Sequence, residues 1–137
     1  RHDFKYFLIL SDDQLYQMDY EHLINEHEKS NAKISIATIP VNAKDATEFG
    51  ILKSDENNVI TSFIEKPDTS LLADWTSDVS DEMKGEGRHY LASMGIYVFN
   101  RELLTELMKN PDTNDFGKEI IPQAIDKHKT ESYQYEG

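Results

Sequence analysis

A continuous apolar run near the start of the chain ends on two aspartates. The run, YFLIL, covers residues 6–10, and such a pattern is typical of a strand that is covered on both faces in a largely parallel sheet. Asp12 and Asp13 follow at its carboxyl end. Like charges this close together repel, so either the pair marks a solvated turn or a positive group lies between them.

The residues after this run predict a helix and a second strand. Apolar and aromatic side chains recur at helical spacing and predict a helix that starts near Asp19, with one face formed by Tyr20, Leu23, Ile24 and His27. Residues 32–41 are rich in β-branched side chains and predict the next strand. Strand, helix and strand in this order indicate a right-handed βαβ unit.

The middle of the chain predicts a β-hairpin and then a long loop. Two β-rich runs flank SDENN within residues 49–67, so we expect a hairpin whose second arm runs to Glu65. Residues 68–90 show little periodicity and predict a long surface loop, which in a compact domain is usually functional or disordered. Trp75, in this loop, either covers a ligand or anchors the loop.

The last third of the chain predicts a strand over residues 90–100, a helix capped by Asn100 and a short strand over residues 132–135. The buried face of that helix would be formed by Leu103, Leu104, Leu107 and Met108. Asp115 is a candidate cap for a further helix, in which Pro122 must start a new turn or introduce a kink. The apolar residues of this further helix are Ile120, Ile121, Ala124 and Ile125.

Composition limits the classes of function. With 137 residues, 38% of them apolar, and no apolar run near the length of a membrane span, the chain predicts a globular domain outside the membrane. Fourteen basic against 26 acidic residues give a net charge of −12, which argues against binding a nucleic-acid backbone. The absence of cysteine excludes disulfides, thiolate metal sites and a cysteine nucleophile.

Four blocks of sequence, taken together, resemble one enzyme family. They are LILSDDQLYQMDY (8–20), FGILKSDENNVITSFIEKP (49–67), YLASMGIYVFN (90–100) and DFGKEIIPQAI (115–125). In this order they resemble the glucose-1-phosphate adenylyltransferases, or ADP-glucose pyrophosphorylases, among the sugar nucleotidyltransferases. The resemblance implies an α/β fold: a partial Rossmann-like nucleotidyltransferase domain with a mixed, mostly parallel sheet, flanking helices and a β-hairpin.

The resemblance also implies an activity. Members of this family transfer an adenylyl group from ATP to glucose 1-phosphate, with Mg2+, and release ADP-glucose and pyrophosphate for glycogen or starch synthesis. It implies a homotetramer under allosteric control, cytoplasmic in a bacterium or plastidic in a plant, with no nucleic-acid or membrane partner. Two alternatives stay open: another sugar-1-phosphate nucleotidyltransferase, or a non-catalytic regulatory subunit of the same fold.

By the same resemblance, residues 1–137 correspond to the central and C-terminal part of the catalytic domain. The family's glycine-rich triphosphate loop would precede them, and its second metal-binding aspartate and β-helix domain would follow. We therefore expect these residues to be inactive alone, and to self-associate through sheet edges and apolar faces that further strands would cover.

Candidate site residues follow from matching the blocks to the family. DDQLY (12–16) resembles the family's Gly-Asp-His-hydrophobic-Tyr pattern, which implies that Asp13 is the catalytic metal ligand and that Asp12 stands where the family has glycine. For Asp13 the alternative is a solvated loop. Close approach of the backbone to a ligand favours glycine at the position of Asp12, so its side chain would crowd the nucleotide.

The sugar phosphate would be bound by residues of the second and third blocks. The resemblance implies that Lys66 holds the phosphate, Glu65 a glucose hydroxyl, Gly50 the ligand through its backbone, and Ser93 the sugar. The alternatives are a polar strand end for Glu65 and Lys66, an ordinary turn glycine, and a serine packed within a strand. We expect Asp115 and Lys118 to be a helix cap and a solvated charge, and the five histidines to hold no metal.

Overall fold

The computed structural model describes residues 5–10, 18–109 and 120–135, which form a six-stranded sheet with helices packed on it. The strands are β1 (Tyr6–Leu10), β2 (Ile34–Val41), β3 (Gly50–Ser54), β4 (Ile60–Glu65), β5 (Tyr90–Asn100) and β6 (Thr130–Gln134). The helices are α1 (Tyr20–Ser30), α2 (Ala43–Ala46), α3 (Asp81–Gly85), α4 (Arg101–Leu107) and α5 (Ile121–Lys127), and a 3-10 helix spans Thr69–Trp75.

The described strands are arranged in the order β4-β3-β5-β2-β6, and β1 also pairs with β5. This confirms the predicted mixed α/β class with flanking helices and a hairpin. The prediction of a mostly parallel sheet is wrong, because β2 and β6 form the single parallel pair among the described strands, while β1, β2 and β3 each run antiparallel to β5.

Burial on both faces explains why strand direction was predicted incorrectly. Side chains of β5 alternate between two cores: Met94, Ile96 and Val98 pack in the cluster that contains Leu23 of α1. Tyr97 and Phe99 pack on the opposite face, with Leu103 of α4 and Ile121 and Ala124 of α5. A central strand covered on both faces is continuously apolar whichever way its neighbours run, so the apolar pattern carries no information on direction.

Strand β1 departs from the prediction in two further ways. Phe7 and Leu10 are 37% and 51% exposed, so β1 is not covered on both faces. The strands β1 and β2 run in the same direction and α1 connects them, as predicted, but β5 lies between them and pairs with both.

The predicted helix near Asp19 and the predicted hairpin are confirmed. Asp19 caps α1, because its Oδ1 accepts a hydrogen bond of 3.0 Å from the backbone N–H of His22. Strands β3 and β4 form the hairpin, with Gly50 opposite Glu65. At its turn, Asp55 Oδ1 accepts hydrogen bonds from the backbone N–H groups of Asn57 and Val59.

The segment between the hairpin and β5 is more ordered than its composition predicted. It contains the 3-10 helix and α3, and the side chains of Leu72, Val79 and Met83 are buried. Trp75 packs, partly buried, against the cluster that contains Leu72 and Ile51. Trp75 therefore anchors this segment to the sheet.

The carboxyl-terminal third agrees with the prediction in its elements. Helix α4 buries Leu103, whereas Met108 follows the last helical residue and is 52% exposed. Pro122 lies in the first turn of α5, where its missing N–H is not needed. The candidate cap Asp115 lies outside the described residues. Among the helices that the structure describes, none has the length and apolarity that crossing a membrane requires.

Candidate functional site

The end of β1 and the start of β3 meet on one edge of β5. Strand β2 occupies the other edge of β5 from Tyr90 to Phe99. A strand has only two edges, so β1 and β3 share the remaining one and follow each other along it. Leu10 of β1 pairs with Ile96, and Ile51 of β3 pairs with Ala92. Residues 93–95 of β5 therefore lie between the two strand ends.

Four of the five predicted site residues lie on strands β3, β4 and β5 or directly after one of them. Gly50 is the first residue of β3, Glu65 is its partner at the end of β4, and Lys66 follows. Ser93 lies in β5, next to the residue that pairs with Ile51. Asp13, three positions after the last residue of β1, lies outside the described residues, as does Asp12.

Gly50 has a steric role in the hairpin. A Cβ atom at Gly50 would lie 2.7 and 2.8 Å from two ring atoms of Phe63, and 3.5 Å from Oε1 of Glu65. Real Cβ atoms essentially never come within 3.0 Å of another group, so any side chain here would displace the ring. Gly50 is the first residue of β3 and is not among the glycines with positive φ, so it does not occupy a left-handed turn position.

Lys66 has a strained backbone at the end of the hairpin. Its φ of 44° lies in the left-handed region, which residues with a side chain rarely adopt. The Lys66 N–H donates a hydrogen bond of 3.0 Å to the carbonyl of Phe49, and Pro67 after it is buried. The Lys66 side chain is exposed, and no ion pair of 4.0 Å or less forms between it and the other described residues.

Ser93 lies at an irregularity of β5. Between the pairs Ile36 with Tyr97 and Thr38 with Ser93, β2 has one residue and β5 has three. The extra length is accommodated by Gly95, whose φ is 74°. Ser93 Oγ accepts a hydrogen bond of 3.2 Å from the Gly95 N–H, and its hydroxyl donates no hydrogen bond to another residue that the structure describes. This bulge separates the β1 and β3 segments of the shared edge.

The chemistry of these four residues is suited to a phosphorylated polyol. The Lys66 ammonium offers a compact positive charge to a phosphate, the Glu65 carboxylate accepts hydrogen bonds from hydroxyls, and the Ser93 hydroxyl can donate one. The left-handed backbone of Lys66 interrupts the alternation of β4 immediately after Glu65. The ammonium is therefore not constrained to the sheet face opposite the carboxylate.

No metal centre is assembled by the described side chains alone. Within residues 5–10, 18–109 and 120–135, no three acidic or histidine side chains lie together as a metal site would require. His22 Nδ1 instead bonds to the hydroxyl of Tyr133. One carboxylate is enough to hold Mg2+ when phosphates and water supply its other ligands. Whether the chain can bind this ion therefore depends on Asp13, the predicted metal ligand, which lies outside the described residues.

A buried polar network was missed by sequence reasoning. His27, 1% exposed, bonds through Nδ1 to Ser35 Oγ and through Nε2 to Asn100 Oδ1, both at 2.6 Å. Ser35 Oγ also lies 3.2 Å from Oε1 of Glu131, within hydrogen-bond distance. Asn100 was predicted to cap α4, but its side chain forms no capping bond and binds His27 instead. The signals were a histidine on an apolar stripe and a serine inside an apolar strand.

Burial shifts the two titratable groups of this network in opposite directions. It lowers the pKa of His27, against smaller raising effects from the Asn100 hydrogen bond and the Glu28 charge. It raises the pKa of Glu131, and the hydrogen bond from Ser35 opposes that rise. In both cases burial favours the neutral form. The network joins α1, β2, β5 and β6 at the opposite end of β1 from the candidate site.

Comparison with known protein families gives one result for the whole chain. The family model described as nucleotidyl transferase matches residues 1–137. The match spans every strand of the sheet, including the meeting point of β1, β3 and β5.

Proposed function

Since the chain belongs to the nucleotidyl transferase family, we propose that it is part of a glucose-1-phosphate adenylyltransferase. The full-length protein would transfer the adenylyl group of ATP to glucose 1-phosphate, giving ADP-glucose and pyrophosphate. Residues 1–137 would form the central and C-terminal part of its catalytic domain. Membership of the family supports nucleotidyl transfer in general, and the base and the sugar are the added content of the proposal.

The observation that carries this proposal is the hairpin end. Gly50, Glu65 and Lys66 are brought together there by the pairing of β3 with β4 and by the hydrogen bond from the Lys66 N–H to the Phe49 carbonyl. Ser93 lies on the strand that pairs with β3. Side chains suited to a phosphate and to sugar hydroxyls thus lie on β4 and β5, the two strands that flank β3, and β3 follows the end of β1 along the same edge of β5.

The proposed reaction assigns a role to each of these residues. A phosphate oxygen of glucose 1-phosphate attacks the α-phosphorus of ATP; a new P–O bond forms, and the bond to the oxygen bridging to the β-phosphate breaks. Lys66 neutralises the attacking phosphate, which would otherwise be repelled by the triphosphate. Glu65 and Ser93 orient the sugar through its hydroxyls, and the backbone of Gly50 contacts the ligand.

Mg2+ would be held by Asp13, three positions beyond β1. Once bound, the ion would supply positive charge to the phosphate oxygens along the path of transfer. The carboxylate is a hard oxygen donor of the type that this ion prefers.

Product formation by the full-length gene product tests the base and the sugar. It should be offered ATP, UTP, dTTP and GTP in turn, each with glucose 1-phosphate and Mg2+, and the nucleotide sugar should be quantified by chromatography. We expect ADP-glucose to be the main product. The variant Lys66→Gln should raise the KM for glucose 1-phosphate by about a hundredfold, because a charge-assisted contact to phosphate is lost. A preference for dTTP or UTP would replace the adenylyl assignment with that of another sugar nucleotidyltransferase.

A second candidate is a regulatory subunit that keeps the fold without turnover, and it is motivated by Asp12. A carboxylate beside the proposed metal ligand adds negative charge where two polyanions would meet. The test is to compare turnover of the full-length protein with that of its Asp12→Gly variant. A large gain on substitution supports the regulatory subunit, whereas equal turnover of the two proteins removes its main support.

Residues 1–137 alone are expected to be inactive. On this proposal, the triphosphate loop and the second metal carboxylate would be supplied by other parts of the full-length protein. Incubation of the 137-residue protein with ATP, glucose 1-phosphate and Mg2+ should release no pyrophosphate above the blank. Measurable ADP-glucose synthesis would overturn the proposed place of these residues within a larger catalytic domain.

A further inference from the structure

Phe63 connects the helical layer to the hairpin end. It lies on β4 opposite Leu52, and its partly buried ring packs against the core cluster that contains Ile120 and Ile121. It also lines a shallow surface depression together with Pro122 and Ile125 of α5. One side of the ring is therefore held by the body of the protein.

The tip of the same ring lies against Gly50. Two of its outer atoms, Cε1 and Cζ, come within 2.8 Å of the point where a Cβ of Gly50 would be. Oε1 of Glu65 lies 3.5 Å from that point. Since side chains two positions apart on a strand share a face, Phe63 and Glu65 lie on the same side of the hairpin.

This close fit has a cost that core packing alone would not require. Glycine weakens a strand, because it loses more backbone freedom on folding than other residues and offers no side chain to pack. An alanine opposite a smaller side chain would satisfy the same sheet without that cost. The pairing of Gly50 with a large aromatic ring is explained if the protein requires the ring of Phe63 at this position.

A backbone hydrogen bond joins the strained residue of the site to the residue before Gly50. The hydrogen bond from Lys66 N–H ends on the carbonyl of Phe49, the residue before Gly50. The backbone of residues 49 and 50 thus fixes the left-handed turn at Lys66, and the ring of Phe63 fixes residue 50. Displacing the ring would loosen Glu65 on one strand and Lys66 at its end.

We propose that Phe63 is a positioning residue for the sugar phosphate: its ring fills the space that Gly50 leaves open and thereby fixes Glu65 and Lys66. This inference rests on the proposed function. Phe63 is not a catalytic residue, since its assigned contacts are to Gly50 and the core rather than to the reacting groups. It acts on ground-state binding of the sugar phosphate, so its loss changes KM for that substrate rather than kcat.

The test uses Phe63→Leu in the full-length gene product, with Phe99→Leu as the matched control. Phe99 has the same side chain and lies in the same core cluster, but it is fully buried near the far end of β5, beside β1. We expect Phe63→Leu to raise the KM for glucose 1-phosphate about tenfold, because a small misplacement of binding groups is costly. The kcat and the KM for the nucleoside triphosphate should stay within about twofold of the unmodified protein.

Thermal unfolding distinguishes positioning from general destabilisation. Phe99→Leu should lower the Tm at least as much as Phe63→Leu and leave the KM for glucose 1-phosphate unchanged. Phe63→Met, whose longer and more flexible side chain reaches further toward Gly50 than leucine does, should raise that KM by a smaller factor and keeps the test informative if Phe63→Leu folds poorly. Equal increases in KM from the two leucine variants would overturn the proposal.

A double variant tests the contact itself. Gly50→Ala should raise the KM by pushing the ring away, and adding Phe63→Leu should restore part of the loss, because the shorter side chain leaves room for the new methyl group. Strictly additive effects of the two substitutions on the KM would overturn the inference.

If the unmodified full-length protein uses no nucleoside triphosphate with glucose 1-phosphate, the proposed function fails and this inference with it. An active protein whose KM is insensitive to Phe63→Leu overturns this inference alone.

Discussion

Gly50 and Gly85 differ in the space around them, and this difference gives a prediction at the scale of single residues. A Cβ at Gly50 would come within 2.8 Å of the Phe63 ring, whereas at Gly85 nothing lies within 4 Å. We expect Gly50→Ala to lower the free energy of unfolding by about 2 kcal/mol through overpacking. Gly85→Ala, at the end of α3, should change it by less than about 1 kcal/mol, in the stabilising direction.

Urea unfolding of the 137-residue protein, followed by circular dichroism, measures both glycine variants. Gly85→Ala is the control for the general effect of replacing glycine on the entropy of the unfolded chain. A Gly50→Ala protein as stable as the unmodified one would contradict the steric role assigned to Gly50.

His27 gives a pH dependence whose sign follows from its burial. Burial lowers the pKa of His27 in the folded state below its ordinary value of 6.5, so protonation favours the unfolded state. The contribution of neutral His27 to stability is therefore present above pH 6.5 and is lost as the pH falls from there toward the folded-state pKa. The groups around it are Ser35 and Asn100, the Glu28 charge, and Glu131 beyond Ser35.

The measurement compares the unmodified protein with His27→Gln in urea at pH 7.5 and pH 5.5. The stability advantage of the unmodified protein should shrink at the lower pH, since glutamine does not titrate. An advantage of His27 that is independent of pH would contradict the assignment of a neutral, buried imidazole.

Glu131 should affect stability with the opposite dependence on pH. Burial raises its pKa, so protonation favours the folded state, and Glu131→Gln should stabilise the protein at pH 7.5.

At the scale of the element, α1 shows which parts of the fold the sequence could predict. Its cap at Asp19 and its apolar stripe lie within a dozen residues, so the local pattern predicted both its start and its buried face. The bond between His27 and Asn100 joins residues 73 positions apart, and local periodicity contains no information about such contacts. For the same reason the strands were predicted correctly as elements, while their direction and order were not.

The capping bond of α1 gives an element-scale prediction. Asp19→Ala removes the acceptor for the His22 N–H and the negative charge at the helix start, and should lower the free energy of unfolding by about 1 kcal/mol. Asp19→Asn, which keeps a capping oxygen, should lose less than half of that. Circular dichroism during urea unfolding measures both, and equal losses in the two variants would contradict the role of the capping oxygen.

The candidate site was predictable to the extent that its residues lie close together in sequence. Glu65 and Lys66 are adjacent, and the hairpin that places Gly50 opposite them was expected from its turn residues. The contact between Phe63 and Gly50 was not expected, because it depends on the direction of one ring. The left-handed φ of Lys66 has no local signal, whereas the bulge at Gly95 has one, since an isolated glycine inside a strand pattern indicates a bulge.

At the scale of the whole molecule, charge gives a further prediction. With a net charge of −12, the protein should repel nucleic-acid phosphates at physiological ionic strength. We expect no shift of a labelled DNA duplex or single-stranded RNA by micromolar 137-residue protein in 150 mM salt, with a basic protein of similar size as the positive control. Salt-sensitive binding would show a basic surface that the overall charge conceals.

The central position of β5 also bears on how the chain folds during synthesis. Strands β1, β2 and β3 all pair with residues 90–100, and β2 pairs besides with residues 130–134. Of the described strand pairs, the β3–β4 hairpin alone can form before β5 has left the ribosome. Strands β1 and β2 must therefore emerge without these partners and wait for residues 90–100, a condition that favours slow folding and engagement by chaperones.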